Sequence, residues 1–117
     1  MEQAAFEQLV ARMGDAASRG DAPGFAACFT PDGVYHDYIY GAFAGREAIA
    51  HMLADHFHAH ARDYDWRFFD PVVRGETGYA RSLSRFVSTM SQFAGREVVI
   101  DGMSRFRLKD GLIAEYW

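Results

Sequence analysis

One carboxylate in this chain stands where a proton-transfer group would be useful. Asp37 lies within Val34-Tyr35-His36-Asp37-Tyr38-Ile39-Tyr40, a run dense in aromatic and β-branched residues that reads as a strand from 34 to 40. A carboxylate turned into an apolar interior is desolvated, which disfavours its charged form and suits it to act as a general base. The competing reading is an aspartate at a rim, hydrogen-bonded to Tyr35 or Tyr40. His36 has the opposite parity to Asp37 in a regular strand, so it falls on the outer surface or in a dimer face.

His56 and His60 are four residues apart, the spacing of two metal ligands on one helix face. Zinc needs at least one more ligand nearby, and no H-E-x-x-H is present. The two imidazoles therefore read as inward groups satisfied by a tyrosine hydroxyl or by a guest, with no metal and no cofactor. Cys28 has no readable cationic neighbour to activate it and reads as a small buried hydrophobe.

The segment from Tyr79 to Met90 carries a second signal. One face reads Ala80, Ser82, Ser84, Phe86, Ser88, Met90; the other reads Tyr79, Arg81, Leu83, Arg85, Val87, Thr89. A core strand fills its inward face with bulky aliphatics. A face of small residues capped by Phe86 leaves room instead, and its hydroxyls suit the polar end of an otherwise greasy guest. The opposite orientation would bury Arg81 and Arg85 without partners, which is costly.

The elements that must position these groups follow from periodicity. Phe6, Leu9, Val10, Met13 and Ala17 share one stripe of a helix over 2–18, closed by Gly20. Asp21 and Pro23 open a short helix that turns Phe25, Cys28 and Phe29 inward and ends in the turn Pro31-Asp32-Gly33. Residues 41–45 read as a loop. A helix from 46 to about 62 follows, with Ile49, Met52, Leu53, His56, Phe57 and His60 inward and His51, Asp55 and His58 outward. Strands over 64–73, 79–90, 96–109 and 112–117 complete the chain, joined by glycine-bearing hairpin turns. Helices first and hairpin-joined strands afterwards give an α+β order in one domain spanning 1–117. A strongly curved, mainly antiparallel sheet wrapped around a long helix and the N-terminal helices makes a cone. Its open end is left as a cavity.

Composition narrows the partners. The chain has 117 residues, 50% hydrophobic and 15% aromatic, which excludes disorder. Twelve basic against sixteen acidic side chains give a charge of -4 and argue against nucleic acid or anionic lipid. One cysteine forbids an internal disulfide. Neither a signal peptide nor a membrane span is readable, so a cytoplasmic domain is expected.

The segments GDAPGFAACFTPDGVYHD (20–37), GREAI (45–49) and FRLKDGLIAEY (106–116) resemble the nuclear transport factor 2-like superfamily, which holds ketosteroid isomerases, SnoaL-like polyketide cyclases and limonene epoxide hydrolases. The resemblance covers nearly the whole chain and implies the cone fold. Against the isomerase pattern, Asp37 matches the proton-shuttling carboxylate, whose role the resemblance supplies. The positions of the two oxyanion donors hold Met13 and Ser104, and methionine donates nothing. Each lost donor costs on the order of 3 kcal/mol in the transition state, so steroid isomerisation at natural rates is not expected. The epoxide hydrolase pattern needs two carboxylates bridged by an arginine. Arg81, Arg85, Asp37 and Asp101 supply the types, but Asp101 points away from the face of Ile100, Ser104 and Phe106 unless a bulge at Gly102 rescues it.

The expectation is therefore a protein that binds a bulky, mostly apolar small molecule of sterol or steroid type. Met13, Phe25, Phe29, Tyr35, Asp37, His56, Phe57 and His60 line the site from one side. Ser82, Ser84, Phe86, Ser88, Ser104, Phe106 and Tyr116 line it from the other. The absent oxyanion donors and the serine face also fit a natural scaffold reworked to hold a ligand. The alternative is a cofactor-free isomerase, dehydratase or cyclase with Asp37 as general base. A third reading is an interaction module without a ligand, and a homodimer through the convex sheet face is expected.

Overall fold

A computed structural model describes residues 1–117. Helix α1, Gln3–Arg19, buries the predicted stripe and ends at Gly20 in the left-handed conformation, φ 72°. Helix α2, Ala22–Ala26, is capped by Asp21, whose carboxylate accepts the Gly24 N–H at 3.0 Å.

The structure departs from the sequence reading just after α2. Strand β1 spans Phe29–Asp37, so Pro31-Asp32-Gly33 is an irregularity inside a strand and not the end of a helix. The reason is long-range: β6, Leu112–Tyr116, captures the chain before the proline, with the Ile113 N–H donating to the Cys28 carbonyl. The expected loop at 41–45 contains strand β2, Gly41–Ala44, which pairs antiparallel with β1 from Val34↔Ala44 to Asp37↔Gly41. Tyr38, Ile39 and Tyr40 form the hairpin turn between them.

Helix α3, Arg46–His51, runs on through a π-helical turn, Met52–Phe57, and a 3₁₀ turn, His58–His60. The π turn inserts a residue and shifts the phase, so a uniform 3.6-residue period fails beyond Leu53. His58, expected outside, donates from Nε2 to the Ala17 carbonyl at 2.6 Å. His60 is solvent-exposed, at the open end of the cone where the cavity lies. Arg46 fixes the start of α3 by donating from Nε and Nη2 to the Phe29 carbonyl at 2.9 and 2.8 Å.

Strands β3 (Ala61–Arg74), β4 (Thr77–Ser88) and β5 (Glu97–Lys109) complete a six-stranded sheet of order β2-β1-β6-β5-β4-β3, in which only β1 and β6 run parallel. β3 is bent at two places where its register with β4 shifts. At those places Asp63 and Asp70 hold positive φ of 55° and 53°. The bends wrap the sheet over the helices, and Ser18 Oγ ties α1 to β3 by accepting the Trp66 N–H at 2.8 Å. The narrow end of the cone is packed with Phe6, Met13, Phe25, Phe29, Leu53 and Phe106, all at zero exposure. The fold is the expected α+β cone. No helix is long and apolar enough to cross a membrane.

Candidate functional site

The open end of the cone holds a cavity of about 350 Å³, within the range of small-molecule sites. It lies between the concave faces of β4, β5 and β6, the end of α3, and the β1–β2 turn. Parity decides which side chains face it. From β4 these are Ser82, Ser84, Phe86 and Ser88, from β5 Val98, Ile100, Gly102 and Ser104, and from β6 Tyr116. Tyr35 and Asp37 come from β1, and His56, Phe57 and His60 from the π and 3₁₀ turns of the α3 segment.

Four residues expected to line the site do not. Met13, Phe25, Phe29 and Phe106 sit one layer deeper, in the core that fills the narrow end. Sequence cannot separate a buried apolar residue of the core from one of a cavity wall, because the same transfer free energy places both inside.

The serines are placed as parity suggests, but most of their hydroxyls are engaged within the protein. Ser82 Oγ accepts the Trp66 indole N–H at 2.8 Å. Ser104 Oγ and the Tyr116 hydroxyl share a hydrogen bond of 2.6 Å. Ser84 stands beside Tyr64, and Ser88 Oγ accepts the Met90 N–H at 3.2 Å. No buried side-chain nitrogen or oxygen is without a partner. The serines thus orient aromatic polar atoms, and the phenols of Tyr35, Tyr64 and Tyr116 form the polar floor. Tyr35 and Tyr116 stack with ring centroids 4.6 Å apart. Tyr64, which stacks on Phe86 at 5.3 Å, and Trp66 line the cavity although the sequence reading did not place them there. Their alternation opposite the serine face would have been the signal, had the β3–β4 register been readable.

Burial keeps these phenols protonated. It pushes Tyr116 up to about 12, against the opposing effect of hydrogen bonds from Ser104, Ser82 and Tyr35. Burial, followed by the neighbouring Tyr116, raises Tyr35 well above the ordinary phenol range. Burial likewise raises Tyr64, despite the neighbouring Ser84 hydroxyl. Neutral phenols donate hydrogen bonds, so the floor offers donors to a carbonyl or hydroxyl oxygen.

Asp37 sits at the mouth, on the face of Tyr35. Its Oδ2 accepts the N–H groups of Ile39 and Tyr40, each at 2.9 Å, which builds the β1–β2 turn. Its Oδ1 has no hydrogen bond within the protein. Neither Tyr35 nor Tyr40 holds Asp37 through its hydroxyl. His36 stands at the rim of the cavity, where Nε2 lies 2.6 Å from Glu115 Oε2 and its ring stacks on Trp117. Arg81 and Asp101 pair on the convex face at 3.0 and 2.8 Å, in unbroken β4–β5 register. Gly102 makes no bulge, so the two-carboxylate arrangement of an epoxide hydrolase is not assembled. No group of three or more His, Cys, Asp or Glu residues is arranged to hold a metal ion.

A family model described as "SnoaL-like domain" matches residues 10–116. The chain belongs to the SnoaL-like domain family. Solved structures agree on the fold. TsrD from Streptomyces laurentii superposes with a TM-score of 0.84 at 21% identity, over 100% of this chain and 88% of that one. An NTF2-like protein of unknown function from Burkholderia pseudomallei gives 0.79 at 19% identity, covering 99% and 88%. A putative polyketide cyclase from Xanthomonas campestris gives 0.77 at 22%, covering 97% and 88%. No curated protein matches the sequence. In this SnoaL-like domain, then, the family brings ligand binding or cyclase and isomerase chemistry into view, and the cavity is where either would occur.

Proposed function

We propose that this SnoaL-like domain binds a bulky, mostly apolar small molecule of sterol or related polycyclic type. The observation that carries this reading is the cavity itself. Its walls are largely aromatic and aliphatic, with a floor of neutral phenols held by serines and with Asp37 and three histidines on the rest of the lining. Burial of the guest's rings supplies the affinity, and Tyr116 and Tyr35 fix one oxygen.

A second reading, as a cofactor-free isomerase or cyclase, is favoured by one feature. Asp37 lines the same cavity as the phenols, and its Oδ1 makes no hydrogen bond within the protein. It would take a proton from the carbon next to a carbonyl while a phenol stabilises the resulting enolate oxygen, and would return the proton to another carbon.

Titration with a neutral β,γ-unsaturated ketosteroid, followed for double-bond migration, separates the two. Under the binding reading Asp37→Asn leaves affinity within a few-fold and no product forms with either protein. Turnover by the wild type that disappears in Asp37→Asn would establish the enzyme. Absence of thermal stabilisation by any steroid or secosteroid at saturating concentration would end the binding proposal. A ligand at 100 times its Kd adds about 2.7 kcal/mol.

The homodimer belongs to the same proposal. Phe69 and Tyr79 are exposed on the convex face among the ion pairs of Arg81 and Arg85, a pattern that suits a second copy. Sedimentation equilibrium that finds only the 13.2 kDa species refutes it.

A further inference from the structure

The chain has twelve lysine and arginine side chains, and none of them reaches the cavity. Several are held elsewhere. Arg81 pairs with Asp101, Arg85 with Glu97, Arg67 with Asp15 and Asp65, and Arg107 with Glu115, while Arg46 is spent on a backbone carbonyl. Of the 24 lining residues, Asp37 alone belongs to a type that is fully charged at neutral pH. Its Oδ2 is saturated by two backbone N–H groups, and its Oδ1 is open.

The surroundings of Asp37 suit a cation. Tyr40, whose N–H holds the carboxylate, has its ring at the same rim, stacked on His56 at 4.6 Å. Tyr38 also lines this part of the cavity, whereas the Trp117 ring is already taken by His36, stacked at 5.4 Å, and by the Arg105 guanidinium, 3.9 Å from its centroid on the far side of the rim. Aromatic faces attract ammonium groups, and a carboxylate beside an apolar cavity repels anions more strongly than it would in water. The floor phenols are uncharged donors and acceptors and do not offset this field.

We infer that the preferred guest is a lipophilic amine, its protonated nitrogen on Asp37 Oδ1 at the mouth and its ring system in the cavity. This rests on the binding reading above and adds the ligand's charge to it. Imidazoles are the competing positive groups. His36, His56 and His60 all line the cavity, so the test is made at pH 8, where imidazole as a class is uncharged and an aliphatic amine is protonated.

The probes are three androstanes that differ only in bearing an amine, a hydroxyl or a carboxylate on the A ring, titrated calorimetrically into wild type and Asp37→Asn. The asparagine oxygen still accepts from Ile39 and Tyr40, so the turn is kept. The expected result is that the amine binds about tenfold more tightly than the alcohol and the carboxylate at least tenfold more weakly. In Asp37→Asn the amine and alcohol should become equal. Equal wild-type affinities for amine and alcohol, or an amine preference that survives in Asp37→Asn, overturn the inference and leave the binding proposal standing. Tightest binding of the carboxylate also overturns it. Failure of all three probes to bind removes both.

Discussion

Filling the cavity from its own wall gives the sharpest test of the architecture. Ser84 is buried at mid-strand on β4, opposite Trp66 on β3 and Ile100 on β5, with its side chain directed at the cavity. Replacing it with leucine exchanges the hydroxyl for carbon and adds two methyl groups. Each buried carbon of that kind stabilises by about 0.8 kcal/mol where space exists to receive it. The hydroxyl of Tyr64 loses its serine neighbour, at about 1 kcal/mol, and turns to the cavity water. The empty protein should therefore gain up to about 0.5 kcal/mol or stay unchanged. If the space were packed, the same substitution would cost about 1–3 kcal/mol by overpacking. Urea denaturation resolves a difference of that size, with the m-value checking that the unfolding reaction is unchanged. In parallel, stabilisation by a bound steroid should disappear, because the leucine occupies the volume of the guest's rings. A loss of 2 kcal/mol or more in the empty variant, or undiminished stabilisation by ligand, would refute the reasoning.

Two further outcomes follow from the geometry. A Cβ on Gly78 would meet the Phe6 ring at 2.4 Å, so Gly78→Ala should destabilise by about 1–3 kcal/mol in denaturant, and adding Phe6→Leu should recover part of it. The raised pKa of Tyr116 favours its neutral form. Its contribution is therefore whole below the unfolded phenol value near 10 and is lost as pH rises through about 12. An alkaline titration should show part of the 295 nm tyrosinate rise coinciding with loss of far-ultraviolet circular dichroism. Tyr116→Phe should diminish that late phase, and its persistence unchanged would count against a buried phenol floor.

The sequence carried the periodic parts of this molecule and little of what breaks a period. The stripe of α1, the Asp21 cap and the glycine turns between the long strands are local signals, and the structure contains them. Strand β2 was hidden because four residues with a glycine at their head look like a loop until Asp37 is seen closing the turn before them. The π turn at Met52–Phe57 has no compositional mark, so the phase of His58, which turns to the Ala17 carbonyl, was misread. The serine face of β4 was legible from alternation alone. The partners of those serines were not, since the Trp66 indole reaches diagonally to Ser82 and the Tyr116 hydroxyl to Ser104, contacts that depend on a strand register pairing Trp66 with Ser84 and Tyr116 with Phe106. Apolar character also cannot tell the lining from the packed core, which is why Phe25 and Phe106 were placed a layer too far out.

The bend of β3 originates at Asp63 and Asp70, and neither residue lines the cavity. The mould and its lining are thus encoded at separate positions. Substitutions that change which guest fits need not alter how the sheet arches, and the arch can be inherited while the inner surface drifts. This separation makes the inner face of β4 the natural place to re-engineer selectivity without endangering the frame.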